Sequence, residues 1–383
     1  MKARGFDFEI TARDGAARVG RLVTPHGVVE TPAFMSVATF GAVRGVDAPE
    51  LEALGAQILL ANTYHLHERP GEALIAEQGG LHGFTGWRGP WLTDSGGYQV
   101  TSLADRMRLR EEGITFSSPL DGKKRLLTPE SVIAIQEALG PDIAMVLDEC
   151  QPPVALPGGA LDAKQSTSRV EAATERTLRW AQRSAGARKR ADQAVFGIVQ
   201  GGVSEGLRRR SARATAELGF DGYAHGGLGL GEERNERSDL ISAVHAELPA
   251  SAPRYLMGLG KPVDLLEGVA CGVDLFDCVV PTRNARHGLL FTSRGLLAIR
   301  NARFKADSAP PDEDCDCPTC SRHSRAYLRH LIHTGEALGA RLASVHNLRF
   351  YLRLLEEARR AIAEGRFEAL RAEVAALAEE RVS

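Results

Sequence analysis

Eight times along the chain a short apolar run ends in a polar or glycine-rich cluster, and most of the stretches between carry helical patterning. The runs are Phe34–Thr39, Ile58–Thr63, Trp91–Gly97, Ile143–Cys150, Val195–Gly202, Tyr223–Leu228, Tyr255–Gly258 and Leu275–Val280. Short apolar runs without alternation suit strands buried on both faces, as in a parallel sheet covered by helices. Thr128-Pro129-Glu130 reads as a cap residue, a proline at the first helical position and an acid in the first turn. Further helices are expected at Thr167–Ala185, Glu205–Leu218, Arg237–Leu248 and Val263–Cys271. The pattern favours an α/β fold of the closed (β/α)8 TIM-barrel type over an open doubly wound sheet.

The flanks read differently. Phe6, Phe8 and Ile10 alternate, Asp14-Gly15 makes a turn and Val19–Val23 returns, which predicts an N-terminal antiparallel β element. After the eighth run, His287–Arg300 reads as a hairpin turning near Ser293-Arg294-Gly295, and Tyr327–His333 as a helix. Leu348–Glu380 is strongly helical, expected as the closing barrel helix followed by an exposed extension.

Three of the six cysteines, Cys315, Cys317 and Cys320, are too closely spaced for disulfides and well spaced for a metal. With His346 they give a Cys3His set suited to tetrahedral Zn2+, with no position left for substrate, so the zinc would be structural. Spacing alone does not choose His346 over His323, His330 or His333. The expected organisation is one catalytic domain over residues 1–383. Residues 287–350 form a zinc-binding subdomain within it, inserted before the closing C-terminal helix.

The N-terminus has no apolar signal core, and no apolar run approaches the roughly 18 residues that span a bilayer. A cytoplasmic protein without membrane contact is expected. Net charge is only -2, so a nucleic-acid partner would need a local basic patch. Residues 281–330 supply nine Lys/Arg, and the five acids there crowd between Asp307 and Asp316. A solvated charged face is the plainer reading of the same residues.

Chemistry in such barrels lies at the C-terminal strand ends. Asn62, Asp94, Asp148, Gln200 and Gly227 fall there, and Asp277 falls in or near the end of the eighth strand. Exchange at a glycosidic carbon with retained stereochemistry needs a carboxylate nucleophile and a second group to move a proton. Three acids at one mouth could serve these roles and one for reading a base, or could simply cap helices.

Seven segments together resemble the tRNA-guanine transglycosylase (queuine tRNA-ribosyltransferase) family, bacterial type. They are Thr93–Gln99, Asp148-Glu149-Cys150, Gly197–Gly201, Gly226-Gly227-Leu228, Tyr255–Gly258, Phe276–Val279 and Pro281–Arg286, joined by the Cys3His set. The resemblance implies that Asp277 attacks the wobble guanosine ribose to give a covalent intermediate, with Asp94 as general acid/base. It implies that Asp148, Gln200 and the backbone of Gly227 and Leu228 read the purine edge. Tyr98 and Met257 would stack on its faces and Cys150 would lie beside it, although a buried Met or Cys is more often core. Lys261, Arg283 and Arg286 would hold the anticodon loop, and Val43, Leu60 and Asn62 would surround the ribose and nucleophile.

The implied partners are tRNAs with GUN anticodons (those for Asp, Asn, His and Tyr), a 7-deazaguanine base and a second copy of the chain in a homodimer. The implied pathway is queuosine biosynthesis. Where the bacterial pattern has Gly-Gly-Leu-Ala-Val, this chain has Gly229 and Leu230 at the last two positions, leaving the aminomethyl precursor and queuine both open as the incoming base. A non-catalytic tRNA-binding subunit would lack the acids at 94 and 277. A barrel glycosidase would not need the cysteine loop, and a closed Cys3His set disfavours a zinc hydrolase.

Overall fold

The computed structural model describes residues 2–99, 107–151 and 163–377. Three antiparallel strands open it: β1 (Asp7–Asp14), β2 (Ala17–Thr24) and β3 (Gly27–Thr31). The expected Asp14-Gly15 turn joins the first two, with Asp14 paired to Ala17.

Eight parallel strands then close a barrel, and each overlaps one of the eight apolar runs, starting at most one residue before it. They are β4 (Ala33–Val37), β5 (Leu59–Ala61), β6 (Trp91–Thr93), β10 (Ile143–Met145), β11 (Ala194–Val199), β12 (Gly222–His225), β13 (Arg254–Leu256) and β14 (Leu275–Cys278). Pairing of β14 with β4, Asp277 opposite Met35, completes the ring. The helix Pro129–Leu139 begins as expected: Thr128 accepts from Ser131 N at 3.1 Å while Ser131 accepts from Thr128 N at 2.8 Å, with Pro129 at the first position.

The N-terminal sheet closes the end of the barrel where strands begin. Phe6, Phe8, Leu22 and Val29 share one core with Ile143, Phe196, Tyr255 and Leu275. Three aspartates stand immediately before strands and take partners from this element. Asp142 accepts from the His26 backbone at 3.2 Å, Asp221 from Ala3 N at 2.8 Å, and Asp274 from Arg18 Nε at 2.9 Å and Nη2 at 2.5 Å. The Arg18–Asp274 side chains are wholly buried, so losing one partner costs about 3–5 kcal/mol. Those acids hold the fold.

Two features differ from the sequence reading. Between β6 and the helix Pro129–Leu139 lies an unforeseen antiparallel sheet of β7 (Met107–Leu109), β8 (Ile114–Ser117) and β9 (Lys124–Leu127). Its strands are three or four residues long and bury few side chains, Ile114, Phe116 and Leu127 among them, so no period accumulates. Near the C-terminus the helix Ala337–Ala363 ends, and Phe367–Leu377 forms a separate helix. Phe367 and Leu370 bury against a core containing Leu265 and Val269, so this segment is packed rather than an exposed extension, and residues beyond 377 lie outside those described. The expected hairpin is present as β15 (Leu289–Thr292) and β16 (Gly295–Ala298). No helix among the described residues is long and apolar enough to cross a membrane.

Candidate active site

Asp94 follows β6 directly and is buried. Its Oδ1 accepts from Thr63 N at 2.9 Å and Gly96 N at 3.2 Å, and its Oδ2 from Gln99 Nε2 at 2.7 Å and from the Asn62 side chain. Burial pushes its pKa up to about 6 against these donors, and the charge on Asp277 adds to the rise. A carboxyl titrating near 6 can give and take a proton close to neutrality.

Asp277 lies within β14 and is half-buried. Its Oδ1 accepts from Tyr255 Oη at 2.6 Å and from Gly258 N at 2.7 Å. No donor among the described residues takes Oδ2, so one oxygen is anchored and the other is available to react. Burial raises the Asp277 pKa, while the Tyr255 and Gly258 donors favour the carboxylate.

Asp148 follows β10 and is joined to Asp94 through the intervening serine. Ser95 Oγ donates to Asp148 Oδ1 at 3.3 Å, and Gln200 Nε2 to Oδ2 at 2.7 Å. The glycines after β12 allow this crowding: a Cβ on Gly227 would lie 2.6 Å from Gln200 Oε1, and one on Gly226 would fall on Gln200 Nε2. Gly227 also has φ +67°, a backbone region that favours glycine. Cys150 Sγ faces Gly227, and burial followed by the Asp148 charge pushes its thiol up to about 12. It stays protonated and is no nucleophile.

Burial raises the Asp148 pKa to about 6, with the Gln200 and Ser95 hydrogen bonds opposing. The unfolded value is about 3.9. A raised folded pKa means the carboxyl's contribution to stability is complete below the unfolded value and is lost as pH rises through about 6. Asp148→Asn keeps an acceptor for Gln200 and removes the charge. It should stabilise the free protein at pH 7.5 by on the order of 1–3 kcal/mol, with the gain vanishing near pH 4. Thermal unfolding at both pH values checks this; an unchanged or lower Tm at pH 7.5 contradicts it.

The other expected residues fall into three groups. Leu228, Val43 and Leu60 are buried, and Met257 is half-buried against the barrel core. Tyr98 is exposed. Lys261 and Arg283 are exposed and Arg286 half-buried, and none forms an ion pair among the described residues. Burial, with the nearby Arg44 and Arg283 charges, lowers the Arg286 pKa. Arg44, Arg283 and Arg286 therefore lie close enough to repel one another. By contrast Arg294 and Arg325, in the same basic stretch, pair with Glu313 and Asp307.

Cys315, Cys317, Cys320 and His346 converge with their ligand atoms within 4.8 Å of one another, all buried; His323, His330 and His333 are not in the cluster. His346 Nε2 lies 2.7 Å from the Phe291 carbonyl and Nδ1 lies 3.2 Å from Cys320 Sγ. Donation from Nε2 leaves the Nδ1 lone pair aimed at the thiols, so the donor set fits a metal with a fixed imidazole tautomer. The next residue, Asn347, donates to the Pro281 and Leu289 carbonyls at 2.9 and 3.0 Å and accepts from Phe291 N at 3.1 Å. Through His346 and Asn347 the Cys3His cluster is thereby tied to the helix Val280–Arg286 that carries Arg283 and Arg286. A second trio, His26, His82 and Asp142, lies at the opposite end of the barrel. Its imidazoles stack 3.5 Å apart at 17°, which keeps an ion from lying in both ring planes, and Asp142 already accepts from Trp91 N at 2.9 Å.

Sequence reading missed Tyr255, Thr63 and Gln99 as partners of the acids, Arg44 among the cations, and Arg208. Tyr255 sits one strand away from Asp277, and only the β13–β14 register brings them together.

Buried carboxylates gathered at the C-terminal mouth of a closed (β/α)8 barrel are the arrangement of an enzyme. The profile of the Queuine tRNA-ribosyltransferase family matches residues 14–380. A Queuine tRNA-ribosyltransferase of Thioalkalivibrio sulfidiphilus is 53% identical over 366 residues, 96% of each chain. One of Thermus thermophilus is 53% identical over 362 residues, covering 94% of this chain and 91% of its own. One of Herpetosiphon aurantiacus is 51% identical over 365 residues, 95% and 90% respectively. The chain belongs to the queuine tRNA-ribosyltransferase family, whose members are pentosyltransferases.

Proposed function

We propose that this chain exchanges the wobble guanine of GUN-anticodon tRNAs for 7-aminomethyl-7-deazaguanine, in queuosine biosynthesis. The observation that carries the reading is the pair Asp94 and Asp277, one carboxyl near pKa 6 and one with a free oxygen, at the same mouth. Asp277 Oδ2 attacks C1′ of the ribose, the C1′–N9 bond breaks, and Asp94 gives the leaving guanine its proton. The incoming base then loses a proton to Asp94 and attacks C1′, displacing Asp277. Two displacements retain configuration and need no nucleotide triphosphate. Such a base must be turned out of the anticodon stack first. Tyr98 and Met257 are assigned to stack on it, with Cys150 beside it, and Asp148, Gln200, Gly227 and Leu228 to read its edge. Lys261, Arg283 and Arg286 are assigned to the tRNA backbone, and the working form is taken to be a cytoplasmic homodimer.

The Cys3His set is assigned to a structural Zn2+, since four protein ligands leave no open position. Residues 287–350 then act as a zinc-binding subdomain of one catalytic domain.

The loop after β12 supports the aminomethyl base. Gly229 N donates to Glu232 at 2.5 Å, which turns the Leu228 carbonyl the opposite way, free to accept from an ammonium group. Gly229 has φ +77°, and a Cβ there would lie 2.8 Å from Leu259 Cγ. Gly229→Ala should therefore raise KM for the deazaguanine about 10-fold, and Leu259→Ala in the same chain should recover part of that loss by relieving the contact but not the backbone strain. Steady-state kinetics of wild type, Gly229→Ala and the double variant test this; a single variant indistinguishable from wild type contradicts it.

Tyrosine tRNA carrying labelled guanine at the wobble position tests the function itself. Release of label with an incoming base is expected, fastest with the aminomethyl compound. Faster release with queuine points to salvage, and binding without release under every base points to a tRNA-binding subunit.

A further inference from the structure

We propose that Arg208 is a positioning residue that sets the base-reading face, by drawing the Gly226 and Gly227 carbonyls to one side and so turning the Gly227 and Leu228 amides to the other. This rests on the base-exchange reading.

Arg208 sits in the first turns of the helix Glu205–Glu217 and is wholly buried. Its Nε donates to the Gly202 carbonyl at 2.6 Å, and its Nη2 to the carbonyls of Gly226 at 3.1 Å and Gly227 at 3.4 Å. One guanidinium thus ties the loop after β11 to the loop after β12. The fit leaves little slack: a Cβ on Gly201 would lie 2.7 Å from Arg208 N and 2.8 Å from its Cγ. Burial lowers the Arg208 pKa to about 10, and the charge of Glu232, whose side chain is itself buried, opposes that fall.

In a trans peptide the C=O and the following N–H point in opposite directions. The Gly226 carbonyl shares its peptide with Gly227 N–H, and the Gly227 carbonyl shares its peptide with Leu228 N–H. The left-handed conformation of Gly227, φ +67°, lets both carbonyls lie on one side, as in the backbone concavities that bind anions. The amides therefore face away from Arg208. Gly227 N–H does face the Cys150 sulfur, and Leu228 N–H has no acceptor among the described residues. Two such donors beside the Gln200 amide complement an acceptor oxygen, which a guanine-type base carries at its 6-oxo group. Lysine cannot replace the fork, because a single ammonium on a flexible stem does not span carbonyls of two loops in fixed geometry.

The test compares guanine with 6-thioguanine, which keeps N1–H and the 2-amino group but offers a weak sulfur acceptor. Inhibition constants for both are measured on wild type, Arg208→Lys and Arg208→Gln, with tRNA affinity and Tm alongside. Wild type should prefer guanine by about 10-fold or more. The variants should bring that preference to within about 3-fold while raising the guanine constant about 10- to 100-fold, with kcat at saturating base little changed. A role confined to holding the fold would weaken both bases alike and leave their ratio unchanged. An unchanged ratio in either folded variant overturns the proposal. Wild type that binds neither base, though folded and binding tRNA, overturns the base-exchange reading instead and this proposal with it.

Discussion

Asp277→Ala is expected to lower base exchange by roughly 10^4-fold or more while leaving the protein folded and able to bind tRNA. The size follows from position: among the described residues, no other carboxylate at the mouth combines one anchored oxygen with one free of hydrogen bonds. Asp94 has donors on both oxygens, and Asp148 is held by Ser95 and Gln200. Stability should change little, because losing a buried charge, whose burial raises the Asp277 pKa, offsets leaving the Tyr255 hydroxyl without its acceptor. Guanine release and thermal unfolding, measured on one preparation, separate the two effects. Exchange within 10-fold of wild type would remove Asp277 from the nucleophile's role.

The second large effect concerns the metal. Cys320→Ser, or a strong chelator, should cost several kcal/mol of stability, bounded by the roughly 10–16 kcal/mol that structural zinc supplies in finger peptides. The three cysteines lie in the same core cluster as Leu348 and Leu352 of the long C-terminal helix, so an emptied cluster loosens that packing. His346 and Asn347 brace the hairpin and the helix Val280–Arg286, so tRNA affinity should fall more than affinity for the free base. Metal content, tRNA binding and base inhibition constants check this on the same samples. Equal losses for tRNA and base would contradict the bracing path.

The barrel was legible because its strands are buried on both faces. Runs such as Ile143–Met145 and Ala194–Val199 are apolar and buried at every position. The half-exposed strands β7 to β9 had no comparable signal. Which aspartates matter for chemistry was legible only through strand direction. Asp142, Asp221 and Asp274 precede strands and hold the N-terminal element, whereas Asp94, Asp148 and Asp277 lie at or beyond strand ends. The fourth metal ligand was open among several histidines until the long helix brought His346 back to the cysteines. Arg208 was invisible for a similar reason. In sequence it is one basic residue in a helix with three consecutive arginines, Arg208, Arg209 and Arg210, and only Arg208 of them is buried, its carbonyl partners coming from two separate loops.

The most direct test is to trap the intermediate. Wild-type protein mixed with a GUN-anticodon stem-loop is denatured during turnover, and the protein–RNA adduct is digested and mapped by mass spectrometry. The account predicts an ester between the Asp277 carboxyl and C1′ of the wobble ribose, lost on adding excess guanine and absent in Asp277→Ala. Exchange that proceeds with no adduct, or an adduct on Asp94 in place of Asp277, would contradict it.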